Sequence, residues 1–176
     1  MEIKLNSQYI DESAIYGSDW SLNGSFLMFY RNAIRWHSAT NVDVSASLNT
    51  DYVIETGNGY LKVNGNNYNC SPSTSISQKP ITLYGIVGSS KLKGRFKTYY
   101  WKIFNNNVLV RNFVPCYRKN DNSVGLYDTI SKQFYTNPEG TGTFGKGNNV
   151  NDFVISSTQI LINEDHTLYA IWEKNE

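Results

Sequence analysis

The chain is short of cysteine, proline, methionine, histidine and charge. Its 176 residues include two Cys, four Pro, two Met and two His. Sixteen Lys and Arg balance fifteen Asp and Glu, for a formal net charge of +1. Each shortage excludes something. A near-neutral chain lacks the basic stripe of a nucleic-acid binder and the net charge of a disordered acidic or basic tail. No run approaches the ~20 apolar residues that a helical membrane span requires. Residues 1–6 (MEIKLN) contain no apolar run, so no signal peptide is read there. Cys70 and Cys116 belong to no C-x-x-C pair, and with two histidines no zinc site of ordinary spacing is expected. The cysteines read as reduced, semi-buried thiols, with a single disulfide as the alternative. No cofactor and no metal are expected.

What the chain has in excess is aromatic and turn-forming. It holds 13 Tyr, 8 Phe and 4 Trp, with 22 Asn, 18 Ser and 13 Gly. Aromatics suit pleated strands, whereas Asn and Gly suit the turns between them. Short alternating runs separated by turn clusters fill the chain. Residues 25–39 read as a hairpin around Arg31-Asn32-Ala33. Residues 51–63 read as another around Gly57-Asn58-Gly59, and Asn64-Gly65-Asn66-Asn67 as a turn directly after it. Residues 71–80 read as a polar loop. Residues 81–87 (ITLYGIV) look too apolar for an edge and read as a central strand.

From 93 to 111 the pattern alternates, with Tyr99, Trp101 and Ile103 on one face and Phe96, Thr98, Tyr100, Lys102 and Phe104 on the other. Asn105-Asn106-Asn107 is a turn. The strand over 108–117 should end, or lie at an edge, at Pro115. A small hairpin follows over 124–128 and 133–135, then a glycine-rich turn over 140–147 and two closing strands over 153–172. No amphipathic helix is apparent. The expected fold is an all-β antiparallel sandwich.

Chemistry-bearing patterns are sparse. Two carboxyls at glycosidase spacing would share one strand face. The close acidic sets are Asp11-Glu12, Asp51 with Glu55, and Glu164-Asp165. None alternates along an aromatic strand, and Asp51 and Glu55 lie about 13 Å apart by strand rise. His37 reads as a core or groove residue and His166 as a turn residue, and there is no G-x-S-x-G elbow. Residues 140–147 lack the Lys-Ser/Thr ending of a phosphate loop. Asn120-Asp121-Asn122 offers oxygen ligands but reads as a polar turn. The chain is therefore expected not to be an enzyme, glycan hydrolysis being the remaining catalytic alternative. Trp20, Tyr30, Trp36, Tyr84, Tyr99 and Trp101 could stack on sugars, although a Trp in a sandwich is ordinarily core. The expected ligand patch is Tyr30, Arg35, Trp36 and His37, with Arg35 and His37 on one strand face and Trp36 on the other.

Residues 107–147 carry a resemblance. Leu109 to Cys116 (LVRNFVPC), Gly125-Leu126-Tyr127-Asp128, Phe134-Tyr135 and Gly140-Thr141-Gly142-Thr143-Phe144 resemble the C-terminal signature of laminin-G-like, concanavalin-A-like jelly-roll domains. The likeness extends over about 80–147, more loosely over 20–70, and weakens before residue 20. Residues 154–173 are similar to the end of a bacterial B-type repeat. Together they imply a jelly-roll domain over 1–149 with a C-terminal β-hairpin extension over 150–176. They imply a structural or attachment protein of a bacteriophage virion (tail, fibre or decoration), or a module of a bacterial surface adhesin. The implied partners are other virion or surface-protein subunits, host glycan and further copies of this chain. The implied location is the virion or the bacterial cell surface.

Overall fold

The computed structural model describes residues 1–19, 25–73, 80–86, 94–118, 121–136, 143–146 and 170–173. Its first strands are Glu2–Ser7 (β1), Ser13–Gly17 (β2), Phe26–Tyr30 (β3), Ala33–His37 (β4) and Asn41–Ser45 (β5). Asp51–Gly57 (β6), Tyr60–Val63 (β7), Asn66–Asn69 (β8) and Thr82–Leu83 (β9) follow. The last are Phe96–Asn105 (β10), Val108–Tyr117 (β11), Val124–Asp128 (β12), Gln133–Tyr135 (β13), Thr143–Lys146 (β14) and Ala170–Glu173 (β15). The described residues contain no helix. The fold is all-β, with two antiparallel sheets arranged as a sandwich.

The chain divides into two compact units, Asn6–Phe96 and Met1–Leu5 with Lys97–Glu176. In Asn6–Phe96 one sheet has the order β5-β4-β3-β2-β9, and the run β6-β7-β8 belongs to the other. The hydroxyls of Tyr16 (β2) and Thr56 (β6) hydrogen-bond, and the rings of Phe29 (β3) and Tyr52 (β6) lie 6.3 Å apart. Leu27, Phe29, Ile34, Ile54 and Leu61 are all buried. The other face of β3 is buried too: Phe26 and Met28 cluster with Ala14 and Ile86. That double burial explains why Phe26–Tyr30 is a continuous apolar run rather than an alternation.

The second unit contains the order β13-β12-β11-β10-β1, and β15 pairs with both β10 and β14. Trp101 and Thr98 are fully buried. Within β10, Thr98 is buried from one parity and Trp101 from the other, so both faces of the strand are covered there.

The hairpins lie where turn residues put them. Arg31 and Asn32 (φ 49° and 61°) join β3 to β4, and Asn106 and Asn107 (φ 47° and 64°) join β10 to β11. Positive φ at both central residues matches the twist of the flanking strands.

Several expectations change. Asn66 and Asn67 are not turn residues; they begin β8, and the turn is Asn64-Gly65 alone. The strand expected over 81–87 shrinks to β9, the last strand in its sheet's order, with Ile81 52% exposed. Tyr84 takes φ 61° and turns the chain out of the extended region immediately afterwards. The glycine-rich segment yields a strand, Thr143–Lys146, paired with Ala170–Glu173. Residues 1–17 supply β1 and β2.

Pro115 neither ends β11 nor sits on an outer strand, since it pairs with Leu126 of β12. Thr129 N donates to Asn112 O and Asn112 N to Asp128 Oδ1, so the even-numbered amides of β11 face β12. Pro115 therefore faces the other flank, beyond the β10–β11 ladder, which begins at Trp101↔Phe113. Its missing N–H costs no ladder bond. The expected extension over 150–176 lies outside the described residues apart from 170–173.

Candidate functional site

The four residues of the expected patch divide. Arg35 on β4 stands between Met28 of β3 and Asp43 of β5. Its guanidinium is bidentate to Asp43, Nε to Oδ1 at 2.7 Å and Nη2 to Oδ2 at 2.6 Å. It also lies 4.2 Å from the centre of the Tyr30 ring, with Arg31 at 4.9 Å. Tyr30 and Arg35 thus come together, but the Tyr30 ring is already engaged by cations. Trp36 faces the opposite way, buried with its ring 5.9 Å from Tyr16. His37 is buried near the start of β3, stacked on Phe26 at 4.8 Å with Nδ1 2.8 Å from Asn41 Oδ1.

Of the other aromatics, Tyr84 is buried and stacks on Phe96, Trp101 is fully buried, and Tyr99 sits half-buried under Lys4. Trp20, His166, Glu164 and Asp165 lie outside the described residues.

Several of the described carboxylates are engaged in pairing. Glu55 meets Lys62 at 2.9 Å, Glu2 meets Lys102 at 3.0 Å, and Asp51 accepts from Asn6 at 2.6 Å. Asp121 is held by Arg118 and the Ser123 amide, which pull its carboxyl far below the usual range. Asp11 accepts from the Arg31 amide at 3.1 Å. No group of three His, Cys, Asp or Glu among the described residues is placed to hold a metal. Cys70 and Cys116 are both free thiols, and burial pushes the Cys116 thiol up to about 11.

A second surface, not anticipated from the sequence, lies on the outer face of β6-β7-β8. Gly57 pairs with Tyr60, and Tyr60 with Asn69. The Tyr60 ring lies over Gly57 so closely that a methyl group there would fall 2.6 Å from Cζ. Only glycine allows an aromatic ring to rest on the backbone opposite it. Tyr60 is 39% exposed. The next row is Glu55, Lys62 and Asn67, in which the Lys62–Glu55 ion pair leaves no net charge. The result is an aromatic ring lying on the sheet, with the exposed Asn67 and Asn69 at neighbouring positions of the same face. The signal was present in Gly57-Asn58-Gly59-Tyr60, because a two-residue turn sets the fourth residue opposite the first.

Comparison with protein-family models, with curated proteins and with solved structures finds no match to this chain.

Proposed function

We propose that this chain is a non-catalytic attachment module that binds a neutral saccharide on the outer face of β6-β7-β8. The observation that carries the reading is the Tyr60 ring laid over Gly57 beside Asn67 and Asn69. A pyranose offers an apolar C–H face to an aromatic ring and hydroxyls to neighbouring carboxamides, which both donate and accept. The internally neutralised Lys62–Glu55 pair suits an uncharged ligand better than a polyanion. The pairing of Glu2, Asp43, Asp51, Glu55 and Asp121 supports binding without turnover. The resemblance to laminin-G-like jelly rolls supports work within an assembly, a phage virion or alternatively a bacterial surface adhesin. Neighbouring subunits and further copies of the chain are its proposed partners.

The test is glycan-array binding followed by titration calorimetry on the best hit. Tyr60→Ala should weaken binding roughly tenfold or more, the equivalent of about 1.4 kcal/mol, and Tyr30→Ala should leave it unchanged. Binding lost with Tyr30→Ala but kept with Tyr60→Ala would move the site to β3–β5. Release of shortened products from the bound glycan would replace the reading with hydrolysis.

A further inference from the structure

The described residues contain two Asn-Gly pairs, Asn58-Gly59 and Asn64-Gly65; each Asn Oδ1 accepts a backbone N–H, but the rest of the first pair is held and enclosed while the rest of the second is open. Asn58 is held at both ends of its carboxamide. Oδ1 accepts from Ser73 N at 2.7 Å and Ser38 Oγ at 3.5 Å, and Nδ2 donates to Ser73 O at 3.2 Å. Gly59 is enclosed as well: a methyl group there would touch Cys70 O and Pro72 Cβ, each at 3.5 Å.

Asn64 is exposed at the β7–β8 turn with φ 48°. Its Oδ1 accepts from Val53 N at 2.8 Å. Its backbone N donates to Val53 O, also at 2.8 Å. Gly65 has nothing within 4 Å of where a Cβ would stand. The Gly65 side of the turn is therefore open, with no neighbour packed against its Cα.

We infer that Asn64-Gly65 is a site of spontaneous succinimide formation and deamidation in the folded protein, and that Asn58-Gly59 is protected. The Gly65 backbone nitrogen attacks Asn64 Cγ, forming a C–N bond and losing its proton to water. Negative charge gathers on Oδ1, where the Val53 N–H already points and stabilises it as an oxyanion donor would. The Cγ–Nδ2 bond then breaks and the nitrogen leaves as ammonia. Water opens the five-membered imide at either carbonyl, giving isoaspartate or aspartate. Water is the only co-reactant, and nothing is oxidised or reduced. At Asn58 the leaving nitrogen, Nδ2, is itself held by Ser73 O, and Gly59 is packed against Cys70 and Pro72, so the same attack must first break that bond and move those neighbours.

Two consequences follow. The new carboxylate lowers the formal net charge from +1 to 0. The isoaspartyl product also carries the main chain through the former side chain, adding a methylene to a two-residue turn. That breaks the Val63↔Asn66 register and loosens β8.

The experiment ages the full chain at pH 8 and 37 °C, folded and in urea, and follows both sites by peptide mass mapping and isoaspartyl methyltransferase labelling. In urea both sites should react at similar rates. In the folded protein residue 64 should react about tenfold or more faster than residue 58, as expected if one or two extra hydrogen bonds hold the latter. Asn64→Gln should abolish labelling at that peptide, since its longer side chain closes a six-membered ring slowly. Equal folded-state rates at 58 and 64, or conversion at 58 alone, would overturn the inference. The outcome is independent of saccharide binding, because the readout is covalent.

Discussion

Gly57 and Gly125 both sit beneath a ring, yet substitution should act on them in opposite ways. At Gly125 a methyl group would strike the Tyr135 carbonyl oxygen and fall 2.8 Å from Phe134 Cζ. That oxygen belongs to β13, where Tyr135 pairs with Leu126, so it yields only if the ladder does. Gly125→Ala should cost about 2–3 kcal/mol, in the range of core overpacking, read as a lower urea midpoint at unchanged slope. At Gly57 the obstacle is the far end of the Tyr60 side chain, which swings outward. Gly57→Ala should cost under about 1 kcal/mol, as a tolerated exposed change does, while weakening saccharide binding as Tyr60→Ala does. A third residue carries a pH signature. Asp128 has no exposed side-chain surface, and burial alone would raise its pKa. Hydrogen bonds from Ser131 Oγ at 2.6 Å and from the Asn112 and Ile130 amides outweigh this and hold the carboxyl below its usual range. A carboxyl depressed in the folded state stabilises above its unfolded value, near 4, and that contribution fades as pH falls through the folded value. Asp128→Asn should cost roughly 2 kcal/mol at pH 7, as an unsatisfied buried polar group does. The gap from the unsubstituted chain, measured by chemical denaturation, should narrow below about pH 4.

At the level of elements, what was legible depended on whether a turn announced itself. The hairpins at Arg31-Asn32, Gly57-Asn58-Gly59 and Asn106-Asn107 carry residues that accept positive φ, and the fold uses them. Three strands carried no such signal. The polar segments Asn41–Ser45 and Asn66–Asn69 have few apolar residues to alternate, since an outer strand buries little. Glu2–Ser7 alternates Ile3, Leu5 and Ser7 inward, but over too short a span to stand out. The opposite error arose at 81–87, where an apolar run implied a strand and a positive φ at Tyr84 cut it short. Stacking on Phe96 and bonds from Tyr84 N to Ile15 O and from Gly94 N to Tyr84 O hold that conformation. The site divides in the same way. Strand parity separated Arg35 from Trp36, but cross-strand pairing, which parity does not show, lays Tyr60 on Gly57. The turns also make a prediction of their own. Asn107 has φ 64°, a conformation Asn accepts at some cost and Gly adopts freely. Asn107→Gly should therefore raise stability by about 0.5 kcal/mol, since Asn-Gly is the favoured pair for such turns. It should show as a small rise in the thermal midpoint with no change in the circular dichroism spectrum.

For the whole molecule, the question is whether its two compact units unfold together. Neither boundary between them falls in a loop. One runs between Leu5 and Asn6 inside β1, and the other between Phe96 and Lys97 inside β10. Each unit holds part of β1 and part of β10, so melting one unit alone would break both strands mid-run and leave unpaired amides at the breaks, which is costly. The two cysteines offer a probe, one in each unit. Cys70 is partly exposed, whereas Cys116 is 8% exposed, and burial pushes its thiol up to about 11. Burial raises the Cys70 thiol as well, but its partial exposure means that at pH 8 in the folded protein a thiol-reactive disulfide reagent should modify Cys70 first. Cys116, shielded and protonated, should react roughly tenfold or more slowly, because the thiolate is the nucleophile. Along a urea series the burst of Cys116 labelling should coincide with the loss of far-ultraviolet circular dichroism, in one transition with one midpoint. A two-step dichroism curve, with Cys116 labelling following only one of the steps, would mean that the strands break at Leu5/Asn6 and Phe96/Lys97 and that each unit folds on its own.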